Sequence, residues 1–134
     1  MIHTKIVEIR WSDIDGYRHV HHGAYVYYFE EARDEWLAQL VGDTDSVYQF
    51  LIRRLEVDYQ AQVLHQHRAV AVTIQLEGFA SSSIRTHEQL RIAGSDTLIA
   101  EARCVLVRVD ADATAAAAIS DALRARLEAF AKQP

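Results

Sequence analysis

The sequence predicts an α+β fold: one antiparallel sheet wrapped around a single long helix, with an extra helix at the C-terminal end. Three observations predict it. Apolar and polar residues alternate in five separate stretches, the period of half-buried strands. Between the first and second stretch the period switches to that of an amphipathic helix. The later stretches follow one another through polar turns, the pattern of antiparallel neighbours.

Each element follows in order. In residues 4–11, Val7, Ile9 and Trp11 fall on one face and Ile6, Glu8 and Arg10 on the other, a first strand. Residues 12–22, SDIDGYRHVHH, are polar and contain glycine, a loop. From Gly23 to about Val41, Tyr25, Tyr28, Phe29, Ala32, Trp36 and Leu40 recur at helical spacing. Such a helix is roughly 27 Å long and its aromatic stripe marks it as a core element. Gly42-Asp43-Thr44-Asp45 ends it. Residues 51–59, 69–77, 83–92 and 97–109 read as strands; Gly78 marks a bulge or bend, and Ala93-Gly94-Ser95-Asp96 a turn. Asp110 or Asp112 is placed to cap a last helix with the stripe Ile119, Leu123, Leu127 and Phe130. The sheet's apolar face needs a cover, and the 23–41 helix is the element long enough to supply it.

Composition sets the bounds. The 134 residues fit one domain, 1–134, and half of them are hydrophobic. That is enough for a core without disulfides or metal. Cys104 is the only cysteine and sits in the apolar stretch LIAEARCVLVRVD, where a thiol is expected to be buried and inert. The only proline, Pro134, interrupts no element. The stretch MIHTKIVEIRW is charged and lacks the apolar segment of a signal peptide. No apolar run reaches the ~18 residues that cross a membrane, so a cytoplasmic protein without a membrane partner is expected. The net charge of −5 argues against a nucleic-acid partner.

The stretch with chemistry in it is R-W-S-D-I-D-G-Y-R-H-V-H-H-G-A-Y-V-Y-Y-F-E-E-A-R, Arg10 to Arg33. It resembles the acyl-CoA thioesterases of the 4-hydroxybenzoyl-CoA thioesterase type: an aspartate pair, a His-Val step, an Asn or His, a tyrosine, and a Phe-Glu-x-Ala-Arg run. Val57-Asp58-Tyr59 and Ser81–Ile84 extend the likeness. The resemblance implies the hot-dog fold, the helix as sausage and the sheet as bun. It also implies a homodimer or homotetramer with each active site at a subunit interface, and no cofactor.

By that resemblance Asp15 is the catalytic carboxylate, acting as general base or nucleophile on an acyl thioester. The helix starting at His22 and Gly23 offers unpaired N–H groups and the positive end of its dipole to a developing oxyanion. The His22 imidazole is also placed to orient water or to bond Asp15. His19 is expected to brace the loop, Tyr25 to line the acyl pocket, and Asp13 to cap a turn. Glu31 and Arg33 read as intra-helix or subunit-surface charges. Glu30, Glu31 and Glu35 keep open a helix-borne base. The H-x-H-H spacing of His19, His21 and His22 is not a metal-ligand pattern, so no metal is expected. His65 and His67 read as a solvated pair.

One step departs from the family. Relatives often carry basic residues before the fourth strand, placed to meet CoA phosphates. This chain reads Gly78-Phe79-Ala80-Ser81-Ser82-Ser83. Ser82, Ser83 and Arg85 are the substrate-binding candidates there. The thiol carrier is thus CoA or an acyl-carrier protein. A hot-dog hydratase or dehydratase and a non-catalytic acyl-binding protein are the other readings.

Overall fold

The computed structural model describes residues 2–133; Met1 and Pro134 lie outside them. Five strands form one antiparallel sheet: β1 (Ile2–Glu8), β2 (Phe50–Tyr59), β3 (Ala69–Phe79), β4 (Ser83–Ile92) and β5 (Leu98–Arg108), in the order β1-β3-β4-β5-β2. Helix α1 (His22–Val41) lies across one face, and α2 (Asp121–Ala131) closes the end of the core.

Alternation puts Val70, Val72, Ile74, Ile84, Leu90, Ala102, Cys104 and Leu106 into the core. The α1 stripe meets them: Tyr25, Tyr28, Phe29, Ala32, Trp36 and Leu40 are all buried, as the helical spacing predicts. Each large apolar side chain removed from water contributes about 1.5–3 kcal/mol, so this contact dominates folding. The outer face of the sheet is polar; His87 and Gln89 bond to Glu101 at 2.8 and 3.1 Å. Helix α1 ends at Gly42, whose φ of 53° takes the left-handed conformation that glycine reaches without strain. The Arg126 guanidinium then donates to the last-turn carbonyls of Leu40 and Val41. The ladder slips between Leu76 and Gly78, the expected bulge.

Four expectations change. Strand β1 ends at Glu8, and Trp11, expected on the face of Val7, opens a short 3-10 turn at 88% exposure. The cause is local: Asp13 takes the Arg10 N–H at 2.9 Å and turns the chain. The second change is the cap of α2. Its N-cap is Ser120, whose hydroxyl accepts the Leu123 N–H at 3.1 Å. Asp110 instead accepts from Thr114, and the alanine-rich segment that follows forms turns and irregular backbone rather than helix. Its N–H groups are already taken, Ala117 donating to Arg108 and Ile119 to Ser81. Third, Arg33 is not a surface charge. It is buried and meets the equally buried Glu88 of β4 through two bonds of 2.7 and 2.9 Å. Fourth, His67 is not a free partner of His65; its Nδ1 accepts the Leu64 N–H at 2.9 Å.

Candidate active site

The loop between β1 and α1 is built by its two aspartates. Asp13 is buried and serves as the brace. Its carboxylate accepts from the Arg10 N–H, the Arg10 guanidinium and the Tyr28 hydroxyl, the last at 2.7 Å. Burial works to raise its pKa, yet these donors hold it below the ordinary carboxylate value. Burial and the Asp13 charge together push the Tyr28 hydroxyl far up, so Tyr28 stays a donor. The Asp13 carbonyl also takes the His21 N–H at 2.7 Å, which sets the chain's entry into α1.

Asp15 sits at the tip. Ile14 and Val20 pair as a miniature hairpin, closed by Asp15 N–H to the His19 carbonyl at 2.9 Å and Arg18 N–H to the Asp15 carbonyl at 3.1 Å. One carboxylate oxygen, Oδ1, accepts the Tyr17 and His19 amides at 2.9 and 3.3 Å. The other, Oδ2, accepts no bond among the described residues. The carboxylate is thus held in place yet keeps a free oxygen. It lines a hollow of about 270 Å³ with Trp11, Ile14, Arg18 and His65. Arg18 has φ +65°, a left-handed conformation that costs an L-residue roughly 1–2 kcal/mol.

His19 is tied into the loop through its backbone: it bonds both ways to Asp15 and bridges to Leu64. Tyr25 is buried, with its hydroxyl accepting the Val63 N–H at 3.0 Å. Burial raises its pKa above the ordinary tyrosine value, against the opposing Val63 N–H bond. Tyr59 packs edge-on against Tyr25 at 5.2 Å and donates to the His22 carbonyl at 2.9 Å. The first turn of α1 is therefore clamped to the end of β2.

The helix start differs from expectation at one atom. The N-cap of α1 is His21, whose Nδ1 accepts the Gly23 N–H at 2.9 Å. Gly23 is thus no free donor in this conformation, whereas the His22 N–H makes no bond among the described residues. The His22 ring is exposed and stacks on His21 at 4.2 Å. Gly23 and His21 line a different hollow from Asp15, one of about 600 Å³ shared with Arg10, Ser12 and Tyr27. The helix-borne glutamates stand apart from this loop chemistry. Glu30 and Glu31 are exposed, and Glu35 is bonded to His3 and Lys5 of β1.

Ser82, Ser83 and Arg85 lie at the other end of the sheet. The Asp15 loop joins the sheet where β3 begins, through Ile9 to Arg68, and the start of β3 pairs with the end of β4. Ser83 is at the opposite end of β4, roughly 30 Å away at strand rise. The Arg85 guanidinium lies over the bare face of Gly78. One chain alone does not unite the two groups.

Sequence reasoning missed His21 as a cap and His65 as a wall of the Asp15 hollow. A Ser, Thr, Asp or Asn would have signalled the cap; nothing local signals a contact with a residue fifty positions on. Cys104 is buried, and burial pushes its thiol up to about 11, so it is no nucleophile at neutral pH. Among the described residues no three His, Cys, Asp or Glu side chains converge as a metal site would require. No helix among them is long and apolar enough to cross a membrane.

Comparison with known proteins agrees with this architecture. The family model of the thioesterase-like superfamily matches residues 9–127. No match is found among curated proteins. Among solved structures, a Thermus thermophilus thioesterase complexed with coenzyme A and zinc is 27% identical, with a TM-score of 0.84 over 98% of this chain and 95% of its own. A Bacillus stearothermophilus protein described as a predicted thioesterase is 26% identical, with a TM-score of 0.86 over 100% and 99%. A Pseudomonas aeruginosa protein assigned to the same activity is 27% identical, with a TM-score of 0.81 over 92% and 95%. Strand order, buried helix and family match agree, and the chain belongs to the thioesterase-like superfamily of hot-dog enzymes.

Proposed function

We propose that the protein hydrolyses acyl-CoA thioesters at a site built from two copies of the chain, with Asp15 as the reacting carboxylate. The observation that carries this is the half-bonded Asp15: Oδ1 is fixed by two amides, and Oδ2 is free beside a hollow lined by Trp11, Ile14, Arg18 and His65. A carboxylate meant only to hold a turn, such as Asp13, spends both oxygens.

In the reaction, Oδ2 takes a proton from water as the water oxygen attacks the thioester carbon, or attacks that carbon itself to give an anhydride that water then opens. Either way the carbonyl electrons move onto oxygen, and the His22 N–H, unbonded at the positive end of α1, is the donor this reading assigns to them. Collapse breaks the C–S bond; the thiolate leaves and is protonated by solvent. Tyr25 and Tyr59 hold the helix start in place.

The second copy answers the distance problem. A two-fold partner can bring its own Ser82–Arg85 turn to the Asp15 end, where its uncommitted Arg85 is suited to a CoA phosphate. The exposed Leu51 and Ile52 on edge strand β2, and the exposed Trp11 and Tyr17 beside the site, are apolar surface of the kind an interface covers. Coenzyme A bound in the Thermus relative supports that carrier over a carrier protein.

The test is release of free thiol from a panel of acyl-CoAs, with Asp15→Asn and Arg85→Ala proteins measured alone and mixed. Asp15→Asn should lower turnover about 10²- to 10⁴-fold. Mixing the two variants should recover activity, since a mixed dimer has one intact site. Unchanged turnover in Asp15→Asn removes the mechanism; no recovery on mixing removes the shared site.

A further inference from the structure

The tip of the Asp15 hairpin carries an arginine where the backbone asks for glycine. Hairpin loops of three residues put a left-handed residue at the third loop position, and glycine fills it. Here the loop is Gly16-Tyr17-Arg18. Glycine stands at the first position, where φ is not positive and an added Cβ would meet nothing within 4 Å. Arginine stands at the third, with φ +65°. Exchanging the two residue types would relieve the turn.

The strain has no structural return. The Arg18 side chain is exposed and makes no hydrogen bond or ion pair among the described residues, not even with Asp15. It does line the same hollow as Asp15, together with Trp11, Ile14 and His65. A strained residue without internal partners, lining the same cavity as the proposed reacting carboxylate, points to a role toward what binds there.

We infer that Arg18 is a specificity residue that binds an anionic group on the acyl part of the thioester, so that short half-thioesters of dicarboxylic acids are favoured substrates. This rests on the thioesterase reading above. A guanidinium takes a carboxylate through two parallel bonds. The position excludes the CoA phosphates as its main target: the whole pantetheine arm separates them from the thioester, whereas Arg18 shares one small cavity with Asp15. At about 270 Å³ that cavity also suits a short acyl group.

The experiment compares glutaryl-CoA with pentanoyl-CoA, equal in chain length and differing by the carboxylate. Non-hydrolysable thioether analogues of both are titrated calorimetrically into wild type, Arg18→Gly and Arg18→Asn, and hydrolysis of both thioesters is measured separately. Wild type should prefer the glutaryl compound. Each variant should weaken glutaryl binding about 10- to 150-fold, the worth of a charge-assisted bond. Pentanoyl binding should change less than about 3-fold, and the melting temperature should hold or rise. Equal weakening of both analogues points to the CoA phosphates and overturns the inference. So do unchanged binding of both, no glutaryl binding by wild type, or a lowered melting temperature in Arg18→Gly. Glutaryl binding through Arg18 with no hydrolysis of either thioester would sink the thioesterase reading and leave Arg18 standing.

Discussion

Two charged sites, one in the body of helix α1 and one in the loop before it, are treated in opposite ways. Arg33, in the body of the helix, is 1% exposed, and its Glu88 partner is 0% exposed. The carboxylate accepts two guanidinium bonds and the Thr86 hydroxyl at 2.8 Å. Burial works against the Arg33 charge, but the bonds and charge of Glu88 outweigh it and hold the guanidinium's pKa above its ordinary value. Asp15, before the helix, is half-exposed and keeps one oxygen unused. A buried pair of this kind fixes how the helix is rotated and seated in the sheet. A tethered carboxylate with spare valence is equipped to react. The Arg33–Glu88 pair serves position, the proposed function assigns Asp15 to chemistry, and the two uses should separate under mutation.

The sharpest separation comes from comparing Asp15→Asn with Glu88→Leu. Asn keeps an oxygen for the Tyr17 and His19 amides, so Asp15→Asn should alter stability by no more than about 0.5 kcal/mol while removing the turnover described above. Glu88→Leu leaves the Arg33 charge buried without a partner, which should cost about 3–5 kcal/mol in denaturant unfolding. Adding Arg33→Met should return most of that loss, because an apolar pair of similar volume is often as stable as a buried ion pair. A double variant no more stable than Glu88→Leu alone would show that the pair is not the unit.

The contrast between the two sites also explains what the sequence could disclose. Periodicity reports burial, and it placed α1 and all five strands to within a few residues. Glu88 shares the parity of Ile84 and Leu90, yet the alternation of β4 did not single it out. Its partner was not visible, because Arg33 lies fifty-five residues away on another element and only packing joins them. Trp11 was misplaced because alternation continues past Glu8 in the sequence, while the Asp13 carboxylate turns the backbone. The alanines from 115 to 118 favour a helix locally, yet their segment pairs with Val109 and Arg108. Asp15 was legible through a motif; the left-handed Arg18 beside it was not, since a φ angle leaves no mark in composition.

A smaller effect lies between the two sites, in the brace. Tyr28 connects the helix stripe to Asp13, and Asp13 sets the loop that carries Asp15. Tyr28→Phe removes one bond to a charged group and should cost about 1.5–3 kcal/mol. It should also loosen the Asp15 loop, lowering turnover less than Asp15→Asn does. Full activity in a destabilised Tyr28→Phe protein would show that the brace serves the fold and not the site.

The smallest effect is in the acid limb of stability, and its sign follows from Asp13. The donors around Asp13 hold its pKa below the unfolded value of about 3.9. Its contribution is therefore complete above that value and is lost as pH falls through the lower folded pKa. Asp13→Asn lacks the charge at every pH. The stability gap between wild type and Asp13→Asn should be widest near neutral pH, begin to close below about pH 4 and narrow further as Asp13 protonates in the native state. Glu35 and Glu101, also held low by their partners, remain in both proteins, so their share of the acid limb cancels from the difference. Denaturant unfolding of the two proteins across pH 2 to 7 reads this directly. A gap that stays constant over that range would mean that Asp13 braces the loop by shape alone, and that its charge adds nothing to the frame that holds Asp15.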